Sequence, residues 1–421
     1  MNVEKLARNV LVSAMLCLPS GAVLAAQPLF SAAPMVLKNA DQDLAYTALA
    51  SQPSTHSIQL AVTDAALIEE TTPSIALDLD VGGPVRLTAE RSKSYRGSDG
   101  VIVWQGTIAE TAAKRPNDPN EVAGDPMNSI TLVRNGDKVT GNVHVFGQLY
   151  AIRPLHDGRT AIVEVNEAAL PPDHPPAAYR RLFDASAAAA ETAAQQRPDA
   201  PAANTVIRVM VNYTPTVASL SGDVAGLINL AVSESNDGYA NSDVLITMEL
   251  AGTSQVTYTE TGNFDTDLSR YRGTSDGYMD SIHTLRNSIS ADVGVLLVNN
   301  TAYCGLASAI GATASTAFAE VYWQCATGYY SFAHEIGHLQ SARHDPANDP
   351  TNTPYAYGHG YQYPAGGWRT IMAYDCTSGC TRLNYWSNPG KTYGGVAMGT
   401  TNRNDNHRVL NNTRATVAAF R

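Results

Sequence analysis

Two histidines four residues apart, with a glutamate between them, are the residues of this chain best placed to do chemistry. They are His334, Glu335 and His338, in the stretch YYSFAHEIGHLQS at residues 329–341. On a helix this spacing puts both imidazoles on one face, one turn apart, where a single metal ion can take both. Glu335 can then reach a water on that ion without being a ligand itself. Catalytic zinc keeps an open fourth position and needs a third protein ligand, whereas structural zinc is normally closed by four. His344 offers that third imidazole, but it lies six residues past His338, too far along a straight helix to face the same ion. The helix must therefore end and the chain reverse near Ser341. A left-handed backbone there costs a residue with a side chain about 1 kcal/mol or a little more. The chemistry this set supports is metal-assisted hydrolysis, with Glu335 moving the proton.

Strand and helix signals alternate from residue 205 onward, which favours an α/β sheet domain around these residues. Residues 206–213 alternate as a strand does, and residues 224–236 set Leu227, Ile228, Leu230 and Ala231 on one helical face. Residues 244–250 read as a second strand. Residues 268–290 read as a helix with an apolar stripe through Tyr278, Ile282, Leu285 and Ile289. The apolar run at 293–298 is expected to be a buried central strand. Residues 317–323 are expected to be another strand, the candidate edge for an extended substrate. The first half differs. Residues 58–168 are β-rich, with Asn135-Gly136 and Asp157-Gly158 as hairpin turns between strand-like runs at 130–133 and 139–146, and at 148–154 and 161–165. No chemical constellation occurs there, so a domain that assists folding or blocks the second half is the expectation. Residues 184–204, rich in alanine, proline and glutamine, read as an exposed linker open to proteolysis.

The whole pattern His334-Glu335-x-x-His338-x-x-Ser341-x-x-His344 resembles the metzincin signature, in which glycine usually stands where Ser341 does. Thr370-Ile371-Met372-Ala373-Tyr374 resembles the metzincin Met-turn, with Met372 following His344 by 28 residues. This resemblance implies an α/β, metzincin-like catalytic domain, a twisted mixed sheet with a zinc-binding active-site helix. It places Met372 beneath the three histidines and, as in the astacin and serralysin groups, Tyr374 near the zinc, where it helps the transition state. Asp345, directly after the third histidine, is instead a feature of the adamalysin-like group. The stretches HEIGHLQSARHD, TIMAYDC and RLNYWSNP narrow the resemblance to the bacterial peptidyl-Asp metalloendopeptidases, over residues 205–421 and with a β-rich propeptide at 27–183. One catalytic Zn2+ is implied, with protein or peptide substrates cut on the amino side of aspartate and less well of glutamate. The pocket for the residue after the cut should then hold a cation. Arg382 and Arg369 are the candidates, Arg382 preferred, because the planar guanidinium suits a carboxylate; most exposed arginines, however, are solvated or weakly paired. A broad-specificity protease of the same fold is the alternative, and a non-catalytic exported zinc-containing adhesion module a more distant one. Asp345, Asn348 and Asp349 could also contribute to a Ca2+ site, although loop carboxylates are commonly just solvated.

The chain's other features agree with export. Lys5 and Arg8, an apolar run at 10–18 and small residues at 22–26 read as a signal peptide over residues 1–26. That run is too short to span a bilayer, which takes about 20 apolar residues, so a secreted protein with no membrane contact after cleavage is expected. Cys304, Cys325, Cys376 and Cys380 then remain, an even number. Of three possible pairings, Cys304–Cys325 and Cys376–Cys380 are favoured because each closes a local loop. The net charge of -11 is the wrong sign for a nucleic-acid partner. If the propeptide is an intramolecular inhibitor, it must block the open zinc position without a thiolate, because no cysteine lies between Cys17 and Cys304. A propeptide Asp, Glu or His must serve, with His56, His144, His156 and His174 available. Asp184 and Asp199 in the linker are candidate sites of self-processing.

Overall fold

Hairpin chemistry organises the first half of the chain in the computed structural model, which describes residues 26–33, 43–81, 86–109, 117–174, 179 and 203–421. Residues 1–25 of the expected signal peptide and 184–202 of the expected linker, with Asp184 and Asp199, lie outside the described residues. The strands are β1 (Phe30–Ala32), β2 (Thr55–Thr63), β3 (Ser74–Leu77), β4 (Leu87–Arg96), β5 (Ile102–Ile108), β6 (Ser129–Asn135), β7 (Lys138–Val145), β8 (Gln148–Pro154) and β9 (Thr160–Val165), with helix α1 at Leu44–Ala50. The β6–β7 hairpin turns at Asn135↔Lys138, with Gly136 at φ 65, the left-handed conformation glycine adopts without steric cost. The nine strands form one sheet in the order β1-β2-β9-β8-β7-β6-β5-β4-β3. One face buries Trp104, Ile130, Leu132, Val139, Val143, Ile152 and Ile162. Part of the other packs Val103 and Val133 on Leu230 of the second half.

The second half is a mixed sheet with helices. It comprises β10 (Thr205–Tyr213), α2 (Pro215–Leu220), α3 (Val224–Asn241), β11 (Ile246–Gln255), α4 (Phe264–Arg272), α5 (Ser281–Ser288), β12 (Val293–Val298), β13 (Gly305–Ala307), β14 (Phe318–Tyr322), α6 (Ser331–Leu339), β15 (Gln362–Tyr363), β16 (Trp368–Arg369), β17 (Thr381–Arg382) and α7 (Asn406–Val417). The main sheet runs β11-β10-β12-β14-β13. β12 is central, and all six of its residues are buried, as its unbroken apolar run requires. Two expectations need correction. The stretch at 268–290 is not one helix: α4 and α5 are separated by Gly273 to Asp280, where Gly277 and Met279 have positive φ. The strand at 317–323 is not an edge either. β13 pairs antiparallel with β14 and covers it, while the β10, β11, β12 and β14 pairings are parallel. Both disulfides form as expected, Cys304–Cys325 and Cys376–Cys380. The first ties the chain just before β13 to the loop after β14. No helix among the described residues is long and apolar enough to cross a membrane.

The two halves meet over buried polar contacts on α3, at its N-cap and in the loop before α6. Asn142 donates to the Glu234 carboxylate at 2.6 Å, Thr140 to Asp223 at 2.9 Å, and the Arg153 guanidinium to Thr327 at 3.0 Å.

Candidate active site

The histidines sit where the helix and its end put them. α6 carries His334 and His338 on one face. Its end is a Schellman motif: the Ser341 amide donates to the His338 carbonyl at 2.9 Å and the Ala342 amide to the Gly337 carbonyl at 2.9 Å. Ser341 takes the left-handed conformation, φ 75, and the chain returns to bring His344 beside the other two. The three Nε2 atoms are 3.1 Å from one another. A tetrahedron with ~2.0–2.1 Å metal–nitrogen bonds has edges of about 3.3 Å.

Hydrogen bonding fixes which nitrogen faces inward. His334 Nδ1 lies 3.0 Å from the Ile371 carbonyl and His338 Nδ1 2.9 Å from the Ala342 carbonyl. A carbonyl only accepts, so each Nδ1 carries the proton and each Nε2 turns a lone pair to the centre. Burial, then the positive charge of neighbours, holds all three imidazoles well below their ordinary pKa. Neutral imidazoles with converging lone pairs repel one another at this distance unless a cation lies among them. The donor set therefore fits a divalent metal with nitrogen preference.

A fourth imidazole joins them from the first half. His174 Nε2 is 3.2 Å from His338 Nε2, and all four ligand atoms lie within 4.8 Å of one another. Of the other histidines considered, His144 stacks on Tyr330 with centroids 6.0 Å apart, and His156 lies 3.3 Å from Asp43.

Glu335 is buried beside the cluster, its Oε1 3.5 Å from His174 Nε2. Burial, then the Asp173 charge, holds its carboxyl well above the ordinary range, and Oε2 has no protein partner. β13 approaches closely here: a Cβ on Gly305 would fall 2.5 Å from Glu335 Oε1. Only glycine leaves this carboxylate its place.

Met372 is fully buried, and the carbonyl of its neighbour Ile371 orients His334. A Cβ on Gly337 would meet the Trp386 ring at 2.7 Å and the Met372 sulfur at 3.1 Å. Gly337 thus lets α6 press onto the turn that carries Met372. Gly337→Ala is expected to destabilise the chain by about 1–3 kcal/mol, measured as a lowered urea midpoint. An unchanged midpoint would mean that this contact is slack.

Tyr374 tilts over His344 with centroids 4.2 Å apart, and burial pushes its hydroxyl pKa up. Its amide donates to Asp345 Oδ2 at 3.1 Å. Asp345 also accepts from the Asn348 side chain at 3.0 Å, and Asp349 pairs with Arg343 at 3.0 Å. Asp345 and Asp349 are thus engaged by donors of the chain itself, Asn348 being one of them.

Both candidate arginines are buried, not on an open wall. Arg382 Nη2 lies 2.5 Å from Asp173 Oδ2, its Nη1 donates to the Tyr329 carbonyl at 3.0 Å, and its guanidinium sits 4.1 Å over the Tyr329 ring. Arg369 donates to the carbonyls of Cys380 and Ala373 and to the Tyr329 hydroxyl, at 3.0, 2.6 and 3.0 Å. Its Nε also lies 3.6 Å from Asp375 Oδ1, so its fork is spent on neighbouring residues, whereas Arg382 takes a buried carboxylate from the first half of the chain. Sequence reasoning did not single out Asp173, Tyr329 or Gly305. The proline-bracketed PPDHPP at 171–176 was a usable signal, because prolines stiffen a segment meant to hold one shape.

Comparison with known proteins widens the match beyond the motif. The sequence model described as Metallo-peptidase family M12 matches residues 203–387. A peptidyl-Asp metalloendopeptidase of Xanthomonas campestris pv. campestris is 49% identical over 416 residues, covering 96% of this chain and 97% of that protein. Proteins of the same name from Stenotrophomonas maltophilia strains R551-3 and K279a are 54% and 51% identical, covering 89% and 94% of this chain and 88% and 94% of theirs. The agreement runs through the N-terminal sheet as well as the histidine helix, and by it the chain belongs to the peptidyl-Asp metalloendopeptidase family.

Proposed function

We propose that this zinc metalloendopeptidase cuts peptide bonds on the amino side of aspartate, with zinc held by His334, His338 and His344. The observation that carries the reading is the convergence of three neutral imidazoles beside a buried, partly unpartnered carboxylate. Bound zinc supplies an acidified water and an electrophile for the peptide carbonyl. Glu335 takes the proton from the attacking water and gives it to the leaving amine. The Tyr374 hydroxyl, its proton retained by burial, donates to the oxyanion that forms. Arg382 receives the aspartate side chain, a role supported by the carboxylate it already holds. β13 is the terminal strand of the main sheet, covered here by residues 172–173, and it pairs with an extended substrate once that segment has left.

The chain is exported and matures by loss of the signal peptide at 1–26 and the propeptide at 27–183, with the cut inside the linker at 184–204, in the same proposal. A cut before Asp184 or Asp199 releases the catalytic domain, and sequencing the mature amino terminus checks it. Glu234, in the contact between the halves, bears on this step. Burial, against hydrogen bonds from Asn142 and Gly328 and the charge of Arg153, pushes its carboxyl from 4.5 up to about 7. A raised pKa favours the docked state while the group stays protonated. Docking is therefore fully supported below about 4.5 and weakens as pH rises through about 7. Buried His144, stacked on Tyr330 and with its pKa held down to about 4 by that burial, pulls the other way, so the Glu234 part is read against Glu234→Gln: on gel filtration the nicked parent should lose more of its docking between pH 5 and pH 8 than the variant does. The same change with pH in both would assign Glu234 no such part.

The function is tested by the cleavage profile of the matured, zinc-loaded protein on a peptide library. Cuts before aspartate that stop with a chelator and return with zinc are expected. Cuts without regard to the following residue support the broad-specificity alternative. No cutting at all supports a binding module.

A further inference from the structure

We propose that Asp173 and His174 form a substrate-like latch laid into the active site backwards, with His174 as fourth metal ligand and Asp173 in the pocket that reads the substrate's aspartate. This rests on the function proposed above and names how the same site is kept shut.

His174 is built as a ligand. Its Nδ1 donates to the Gly305 carbonyl at 2.8 Å, the same arrangement that orients His334 and His338, so its Nε2 faces the other three. Its ring stacks on Tyr179 at 5.6 Å and 8°. Tyr179 in turn stacks on His344 at 4.0 Å and donates to Asp349 at 3.0 Å. Four imidazoles close a tetrahedral site and leave no position for water. One residue earlier, the Asp173 carboxylate meets Arg382, and both side chains are buried.

The order of the two residues gives the direction. In a peptide cut before aspartate, the carbonyl at the metal belongs to the residue preceding the aspartate, and the residue after it lies beyond the pocket. Here the residue after Asp173 is at the metal. Pro172 lies on the far side, its carbonyl accepting from the Cys304 amide at 2.9 Å. The Pro172–Asp173 bond, which an enzyme of this specificity would choose, is tied to the rim of the site and not presented to Glu335. Latch and substrate compete for one arginine and one coordination position.

The test uses the full, uncleaved, zinc-loaded chain carrying Glu335→Gln, so that self-processing does not intervene. X-ray absorption at zinc should count four imidazole nitrogens, falling to three and an oxygen when His174→Ala is added. A fluorescent peptide with one central aspartate should bind the latched chain at least ~10-fold more weakly than either His174→Ala or Asp173→Asn, because the binding-competent fraction is small. Asp173→Asn keeps shape and volume, and it answers if His174→Ala does not fold. Three nitrogens and an oxygen in the parent, or an affinity that neither variant raises, overturns the latch. A gain with His174→Ala alone overturns the Asp173 half. Failure of the underlying function looks different: the matured domain then holds no zinc on its three histidines, or binds aspartate and asparagine peptides alike.

Discussion

Glu335→Gln in the matured chain is expected to lower kcat by about 10²- to 10⁴-fold, the range a positioned general base contributes, while zinc stays bound at full occupancy. The substitution keeps the side chain's length and shape, so the close approach of Gly305 to Oε1 is retained. What is lost is a group that can take a proton. The three imidazoles are untouched, because none takes a hydrogen bond from Glu335 among those that orient them: His334 is held by Ile371 and His338 by Ala342. Metal content by elemental analysis and turnover on an aspartate peptide therefore separate. An activity within about tenfold of wild type would remove Glu335 from the proton transfer. Zinc lost together with activity would recast it as part of the metal's support.

Much of this site could be read from spacing because its core is local. A four-residue step along one helix and a turn at Ser341 bring the three histidines together, and local backbone rules fix that geometry. The hairpins at Gly136 and Gly158 and the apolar β12 follow from rules of the same reach. What escaped needed distant partners. β13 is three residues long, too short for periodicity, and its place comes from pairing with β14 and from the Cys304–Cys325 bridge. The break between α4 and α5 lies in the polar, glycine-containing stretch at 273–280, which an apolar stripe continuing beyond it conceals. His174 belongs to another domain, and its proline-bracketed neighbourhood marks a stiff segment without showing what that segment faces. That choice is made by the surface on which the N-terminal sheet docks, which no single element encodes. Arg382 was named from the sequence as a cation, but its burial and its Asp173 partner are tertiary facts.

Arg382→Met should collapse the preference for aspartate without removing hydrolysis. Methionine fills much of the same volume against the Tyr329 ring but carries no charge. Truncating one partner of a buried, hydrogen-bonded charge pair costs about 2–5 kcal/mol, so kcat/KM on an aspartate peptide should fall by roughly 30- to 5000-fold. The matched asparagine peptide never offers the arginine a full negative charge, so it should lose far less, and the ratio between the two is the decisive quantity. Arg382 also donates to the Tyr329 carbonyl at 3.0 Å, so some loss of stability is expected, and it would slow both peptides equally. Arg382→Lys separates these effects, because it keeps the charge while giving up the fork; it should recover part of the aspartate preference. If the aspartate-to-asparagine ratio is unchanged in Arg382→Met, the residue only supports the fold. The neighbouring Arg369, engaged by Cys380, Ala373 and Tyr329, would then be the remaining cation able to act on that carboxylate, through its field and not by contact.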